Sequence, residues 1–342
     1  MGVNLRGIAN PQKTTLEEMR GKKLAIDAFN ALYQFLSIIR GPTGELLRDS
    51  SGRVTSHLSG LFYRNINLLE NGIGLVYVFD GEPPKLKSTT IERRKEVKAI
   101  ASKMYSEALE KQDLELAKKY ASATAYLTDE MVEESKQLLD LMGIPWVQAP
   151  SEGEATAAHL TIKDLVDFAA SQDYDSLLFG AKRLIRNVTI SGKRKLPNRS
   201  VRIDVMPETV ELSKLLSENG ITREQLVDIG ILLGTDFNPE GFEKIGPATA
   251  LKLVKRYGRI EDIPQVKDQI NFDLQAVREI FLHPIVAEVD GSKLQGGQLD
   301  QQGLIDFLSG KRDFSKERVL SSLQRLTELK QKESQSLERW FG

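Results

Sequence analysis

The chain has no cysteine among its 342 residues, which excludes disulfides, thiolate chemistry and cysteine-ligated zinc together. It has no apolar run near the roughly 18 residues a membrane helix needs, so no membrane partner is expected. Histidine is scarce: His57, His159 and His283 are scattered, and each reads as structural rather than catalytic. The opening Met1-Gly2-Val3-Asn4-Leu5-Arg6 lacks signal-peptide character, and Arg6 stands where a myristoylation motif needs Ser or Thr. With 28% charged residues, the expectation is an intracellular, cytoplasmic protein of thermophilic cast.

Acid is missing from two stretches, so the formal net charge of −1 hides a segregation. Residues 182–202 carry eight basic residues (Lys182, Arg183, Arg186, Lys193, Arg194, Lys195, Arg199, Arg202) and no acid. Residues 244–259 carry five, Lys244, Lys252, Lys255, Arg256 and Arg259, again with no acid. Such segments suit a polyanion. Solvated hairpin and helix faces are the plainer alternative.

What is present is a set of carboxylates. Glu152-Gly153-Glu154 and Asp173-Tyr174-Asp175 form two acidic pairs, and Asp27, Asp80 and Asp236 each end an apolar run. Burying carboxylates beside one another is costly unless cations neutralise them. Gathering five acid-bearing segments therefore points to divalent metal and phosphate chemistry. Two ions about 4 Å apart would clamp the attacking and leaving oxygens of a phosphodiester.

Lys23-Leu24-Ala25-Ile26, Leu75-Val76-Tyr77-Val78-Phe79, Phe168-Ala169-Ala170-Ser171 and Ile144-Pro145-Trp146-Val147 read as strands, separated by amphipathic helices over 29–39, 57–71 and 129–142. This alternation predicts an α/β fold with a mostly parallel sheet flanked by helices, which binds ligands at strand C-terminal ends. Residues 85–127 are charged and helix-favouring with no strand to pair, and read as helices projecting above the sheet. Residues 182–202, with Ser191-Gly192 in the middle, read as a basic hairpin. Past Leu226 the chain reads as helical, interrupted at Ile245-Gly246-Pro247.

Each acid also has a local explanation. Asp173 and Asp175 fit an acidic or Asx turn. Ser151-x-x-Glu154 fits a capping box with Glu154 at its third helical position. Asp27 fits a helix N-cap. Gly246-Pro247 can present backbone amides to a phosphate at a helix start, or simply punctuate a turn. Their joint placement on one sheet rim favours the metal reading over separate caps.

The motifs Ile26-Asp27-Ala28, Val78-Phe79-Asp80-Gly81-Glu82-Pro83-Pro84, Ala149-Pro150-Ser151-Glu152-Gly153-Glu154-Ala155, Ser171-Gln172-Asp173-Tyr174-Asp175-Ser176 and Leu233-Gly234-Thr235-Asp236 together resemble the structure-specific 5′ nucleases. The chain is most similar to the archaeal flap endonucleases of the XPG/Rad2-like family, from its first residue to its last. The resemblance implies a PIN/5′ nuclease-like domain over about 1–330. Within it would lie an N-terminal region (about 1–100), a helical arch (about 85–127) and an internal region (about 128–260). The last would contain a helix-two-turn-helix (about 225–260), and a flexible tail would follow (331–342).

The resemblance further implies two Mg2+ ions, replaceable by Mn2+. Asp27, Asp80, Glu152 and Glu154 would surround one ion, with Asp173, Asp175 and Asp236 toward the other. Lys87 and Arg94 would meet the scissile phosphate, and their spacing of seven lets one helix face present both. Tyr33 would stack on a base, although Phe29-x-x-x-Tyr33 also has core spacing. Arg40 and Arg64 would contact bent duplex or flap, and Gly2 would lie near the reacting centre.

At the helix-two-turn-helix, Lys244, Gly246 and Lys252 would hold duplex and a K+ ion, although Lys244 stands where the family pattern has glycine. Leu337, Trp340 and Phe341 fit a sliding-clamp motif, with Ser334 where the family has glutamine; a frayed terminus is the alternative. The implied activity is two-metal hydrolysis at 5′ flap junctions with 5′-3′ exonuclease action, by a monomer acting in Okazaki fragment maturation and base excision repair. A metal-dependent phosphatase and a catalytically inactive junction binder or clamp adaptor are the rivals.

Overall fold

The computed structural model describes residues 2–190, 192–195 and 202–341, of which 192–195, 202–204 and 329–341 are described by backbone alone. In chain order the elements are β1 (Gln12–Lys13), β2 (Lys23–Asp27), α1 (Ala28–Ile38), α2 (Ser56–Glu70), β3 (Gly74–Phe79), α3 (Ser88–Glu110), α4 (Leu114–Ala121), α5 (Asp129–Met142), β4 (Trp146–Gln148), α6 (Gly153–Ile162) and β5 (Phe168–Ala170). Then follow α7 (Asp175–Leu178), β6 (Arg183–Arg186), β7 (Gly192–Lys195), β8 (Arg202–Val205), β9 (Glu208–Glu211), α8 (Leu212–Asn219), α9 (Arg223–Leu233), α10 (Pro247–Tyr257), α11 (Leu274–Leu282), α12 (Gln301–Ile305) and α13 (Lys316–Phe341).

Seven strands form one sheet in the order β1-β9-β6-β5-β2-β3-β4. The run from β6 to β4 is parallel, whereas β9 and β1 add antiparallel strands at one edge. Successive side chains on a strand face opposite ways, and both faces here are apolar. Ala25, Val76 and Val78 point to a core shared with α6, α9, α10 and α11. Leu24, Ile26, Tyr77 and Phe79 point to a second core shared with α1, α2, α5 and α13. The sheet is therefore the middle layer between two helical layers. Strand order turns at β2, with β3 and β4 on one side and β5 and β6 on the other. In parallel sheets that reversal opens a crevice at the strand C-terminal ends.

The mostly parallel sheet expected from the sequence is present, and residues 85–127 fold as helices, α3 and α4 packing on each other. One expectation is corrected. The basic stretch 182–202 is not one hairpin turning at Ser191-Gly192. Leu184 and Ile185 are buried, so β6 joins the main sheet beside β5. The hairpin is instead β7 with β8, and Ser191 and its connection 196–201 lie outside the described residues. The antiparallel edge was not foreseen, because β9 (Glu-Thr-Val-Glu) buries only Val210. The backbone is helical from Lys316 through Phe341. The side chains of Leu337, Trp340 and Phe341 lie outside the described residues. Among the described residues, no helix is long and apolar enough to cross a membrane.

Candidate active site

The crevice holds a cavity of about 500 Å3, lined by Asp27, Asp80, Glu152, Glu154, Asp173, Asp175 and Asp236. All seven acids picked out in the sequence thus meet in one place. They arrive on separate elements: Asp27 ends β2, Asp80 follows β3, Glu152 and Glu154 open α6 beyond β4, Asp173 and Asp175 follow β5, and Asp236 follows α9.

Each floor carboxylate is aimed by a short-range bond. Asp27 caps α1, accepting from the Asn30 amide at 3.0 Å, so the cap and the cavity share one side chain. Asp80 accepts from the Gly153 amide at 2.7 Å. A Cβ on Gly153 would lie 2.6 Å from that same Asp80 oxygen, so only glycine permits this approach. Asp175 accepts from the Val3 amide at 2.7 Å, which ties the N-terminal segment beneath the site. Gly2 also lines the cavity, and a Cβ there would fall 2.3 Å from Asp173 Cβ. The capping box that was the local alternative at Ser151-x-x-Glu154 does not form. Glu152 is the N-cap of α6 without a side-chain cap bond, and Glu154 turns inward to accept from Ser176 Oγ at 3.3 Å. Nor does Asp175 cap α7, whose N-cap is Tyr174.

Crowding shifts these acids. Burial, followed by the Glu152 charge, pushes Asp80 from the ordinary 3.8 to about 6. Burial and then Asp173 push Asp175 to about 7, against the pull of the Val3 amide. Asp27 and Glu154 are raised well above the usual carboxylate range, chiefly by burial and then by neighbouring acids. A buried carboxylate raised in this way is one whose counter-charge is insufficient.

The roof is basic. Lys87 stands just before α3 and reaches Glu152 Oε2 at 2.6 Å and Asp236 Oδ2 at 3.3 Å. Burial opposes its charge, yet Glu152 and Asp236 hold its pKa above the ordinary lysine value. Arg94 donates to Asp236 Oδ1 at 2.6 Å. Thr90 Oγ donates to the Asp236 carbonyl at 2.6 Å, fixing the same loop from above. That loop is braced from within, since Asn238 Oδ1 accepts from the Thr235 amide at 3.1 Å and from its hydroxyl at 2.6 Å.

Lys98 was missed in the sequence. It lines the cavity four residues beyond Arg94, with Nζ 4.5 Å from the Tyr33 ring centroid. The spacing of four keeps Arg94 and Lys98 on one face of α3, and this was the available signal. Tyr33 is half-buried and lines the cavity, while Phe29 packs edge-on against Phe79 with ring centroids 6.4 Å apart.

The remaining expected contacts lie elsewhere. Arg40 donates to the Leu36 carbonyl at 2.8 Å and the Gly44 carbonyl at 2.9 Å, away from the cavity lining. Arg64 is half-buried on α2, also outside it. Lys244, Gly246 and Lys252 are exposed around the start of α10, where Gly246 is the N-cap and Pro247 follows. Lys244 takes φ +61, so a lysine here adopts the left-handed conformation that suits glycine. The first basic residues of 182–202 are already engaged: Lys182 pairs with Asp164 at 2.7 Å and Arg186 with Glu208 at 3.6 Å.

The donors facing the cavity are carboxylate oxygens, the hard ligands that magnesium and manganese take. The raised pKa values of Asp27, Asp80, Glu154 and Asp175 mark a site short of positive charge, so the residues fit divalent cations. As placed, no three acids among the described residues enclose a single ion. Lys87 stands between Glu152 and Asp236 in that arrangement.

Residues 1–101 match the XPG N-terminal domain and residues 143–236 the XPG I-region. The chain is 52% identical to flap endonuclease 1 of Nitrosopumilus maritimus over 342 residues, covering 100% of both chains. It is 50% identical to flap endonuclease 1 of Staphylothermus marinus, again covering 100% of both. The solved structure of flap endonuclease-1 from Methanococcus jannaschii is similar with a TM-score of 0.73 and 41% identity, covering 96% of this chain and 98% of that one. With a carboxylate-lined crevice on the expected rim and this similarity along its whole length, the chain belongs to the archaeal flap endonucleases of the XPG/Rad2 nuclease family.

Proposed function

We propose that this chain hydrolyses a phosphodiester at 5′ flap junctions of DNA, with the seven acids holding two divalent ions. The observation that carries this reading is the single cavity with seven carboxylates in its lining and Lys87, Arg94 and Lys98 on one side of it. A small phosphomonoester would not need three cations along one side of the site, whereas a nucleic-acid backbone does. When bound, the ions supply Lewis-acid polarisation of the phosphodiester and neutralise developing charge.

The protein's own groups do the rest. Lys87 and Arg94, held here by Glu152 and Asp236, would orient the scissile phosphate. Preorganised donors of this kind act most strongly where water is excluded. Tyr33 offers a ring for a terminal base, and Gly2 leaves room beside Asp173. Arg40 and Arg64 would contact the bent substrate. Lys244, Gly246 and Lys252 would hold one duplex backbone, with a K+ ion at the turn. Leu337, Trp340 and Phe341 would dock a sliding clamp, and the chain would act as a monomer in replication and repair, with 5′-3′ exonuclease action as a second activity. Magnesium is the expected ion and manganese its substitute.

The direct test is cleavage of end-labelled double-flap DNA and of a small phosphomonoester, each with and without Mg2+. Mg2+-dependent cutting near the flap junction, without phosphomonoester turnover, is expected. Phosphomonoester turnover alone would favour a phosphatase, and tight flap binding without cutting would favour an inactive junction binder.

A further inference from the structure

Two aspartates one residue apart can both face a cavity only if the residue between them is held back. Here that residue is Tyr174, which is only 3% exposed. Behind it stands Arg186, the last residue of β6. The Arg186 guanidinium lies 4.1 Å from the Tyr174 ring centroid, and Nη1 donates to the Tyr174 hydroxyl at 2.7 Å. Its Nε donates to the Gln172 carbonyl at 2.9 Å. In front, Asn30 Nδ2 donates to Asp173 Oδ2 at 3.1 Å, and Asn30 Oδ1 accepts from the Gln172 amide at 3.3 Å. The Asn30 amide is in turn held by Asp27. The acidic loop is thus gripped from both sides, and one grip links the ends of β2 and β5.

We infer that Arg186, opposed by Asn30, is a positioning residue that aims Asp173 and Asp175 as a pair and so sets the affinity for divalent ions. This rests on the metal reading above. Arg186 does not line the cavity, and its ion-pair partner is Glu208 at 3.6 Å rather than either aspartate. Its role is therefore geometric: a planar fork can stack on Tyr174 while bonding Gln172 and the tyrosine hydroxyl, and an ammonium cannot. Neither Arg186 nor Asn30 carries a signal in the local sequence; sheet topology alone brings them to the loop.

The test is Mn2+ binding to the full chain without DNA, read from the free-ion EPR signal, beside the Mg2+ dependence of flap cleavage. Partners that orient metal ligands typically affect affinity by about 10–100-fold. Arg186→Met should weaken Mn2+ binding within that range, and cutting lost at low Mg2+ should return at high Mg2+. Flap DNA affinity without divalent ions should stay unchanged, and Arg186→Lys should fail to restore the metal affinity. Full restoration by lysine would overturn the geometric role in favour of charge. If Arg186→Met does not fold, Tyr174→Phe decides, since it removes one oxygen: weakened Mn2+ binding supports the inference, and parental binding overturns it. A parent chain that binds no Mn2+ would overturn the metal reading and this inference together, whereas unchanged variants of a binding parent overturn this inference alone.

Discussion

The floor and the roof of the cavity are built by different means. Floor acids sit at strand ends or helix starts, each fixed by a backbone amide or a side chain close in space: Asn30 for Asp27, Gly153 for Asp80, Val3 for Asp175. The roof cations reach down from α3 and the turn before it, and what holds them is charge, from Lys87 to Glu152 and Asp236 and from Arg94 to Asp236. A floor set by hydrogen bonds to the fold keeps its geometry as ions come and go. A roof set by ion pairs is open to exchange, since a cation bound at these carboxylates would compete with Lys87 and Arg94 for the same oxygens.

The largest effect that would test this contrast comes from Lys87→Met. Removing a preorganised donor from a reacting phosphate should lower single-turnover cutting by about 10²–10³-fold. Mn2+ binding measured by EPR should stay level or tighten, because Glu152 and Asp236 lose a competing cation. Weaker metal binding in this variant would break the distinction between floor and roof. Next, Tyr33→Ala should weaken use of flap substrate by about 1–3 kcal/mol, the range of one base–aromatic stack. Tyr33→Phe should change little, and equal losses in both variants, measured as kcat/KM, would point to the hydroxyl instead.

Acidity gives a third, smaller effect on the metal-free chain. Asp80 and Asp175 keep their protons in the folded state to about 6 and about 7, against 3.8 when unfolded. Their contribution to stability is complete below pH 3.8 and is lost as pH rises through those values, because the unfolded chain then binds fewer protons. Thermal unfolding in EDTA should therefore show a midpoint that falls across this window, with Mg2+ restoring it. A midpoint that rises there would contradict the crowded floor. The smallest effect lies outside the cavity: Lys244→Gly should stabilise the chain by about 1 kcal/mol, by relieving a left-handed lysine, as read from the urea midpoint. No gain would mean that the turn holds Lys244 without strain.

The floor was legible because apolar runs ending in an acid, as at Ile26-Asp27 and Phe79-Asp80, carry both a strand and its functional end in consecutive residues. The helices carried their own periodicity for the same reason. Local patterns mislead where the deciding partner is distant. Ser151-x-x-Glu154 has the pattern of a capping box, but α6 starts at Gly153 and Glu154 turns to the cavity. Ser191-Gly192 has the pattern of a hairpin turn, but burial of Leu184 and Ile185 draws β6 into the main sheet first. Lys98, Thr90 and Arg186 act through residues 65, 146 and 12 positions away, which no local pattern records. Lys244 is the reverse case: its departure from glycine was visible, and the backbone keeps the glycine-like φ regardless.

The most direct test of the cavity as the cutting site compares Asp175→Ala with the parent chain on labelled 5′ flap DNA. Flap affinity without divalent ions should change little. Single-turnover cutting at saturating Mg2+ should fall by more than about 100-fold, beyond what loss of a mere orienting partner reaches. An Asp175→Ala chain that cuts at the parental rate would contradict the assignment of these acids.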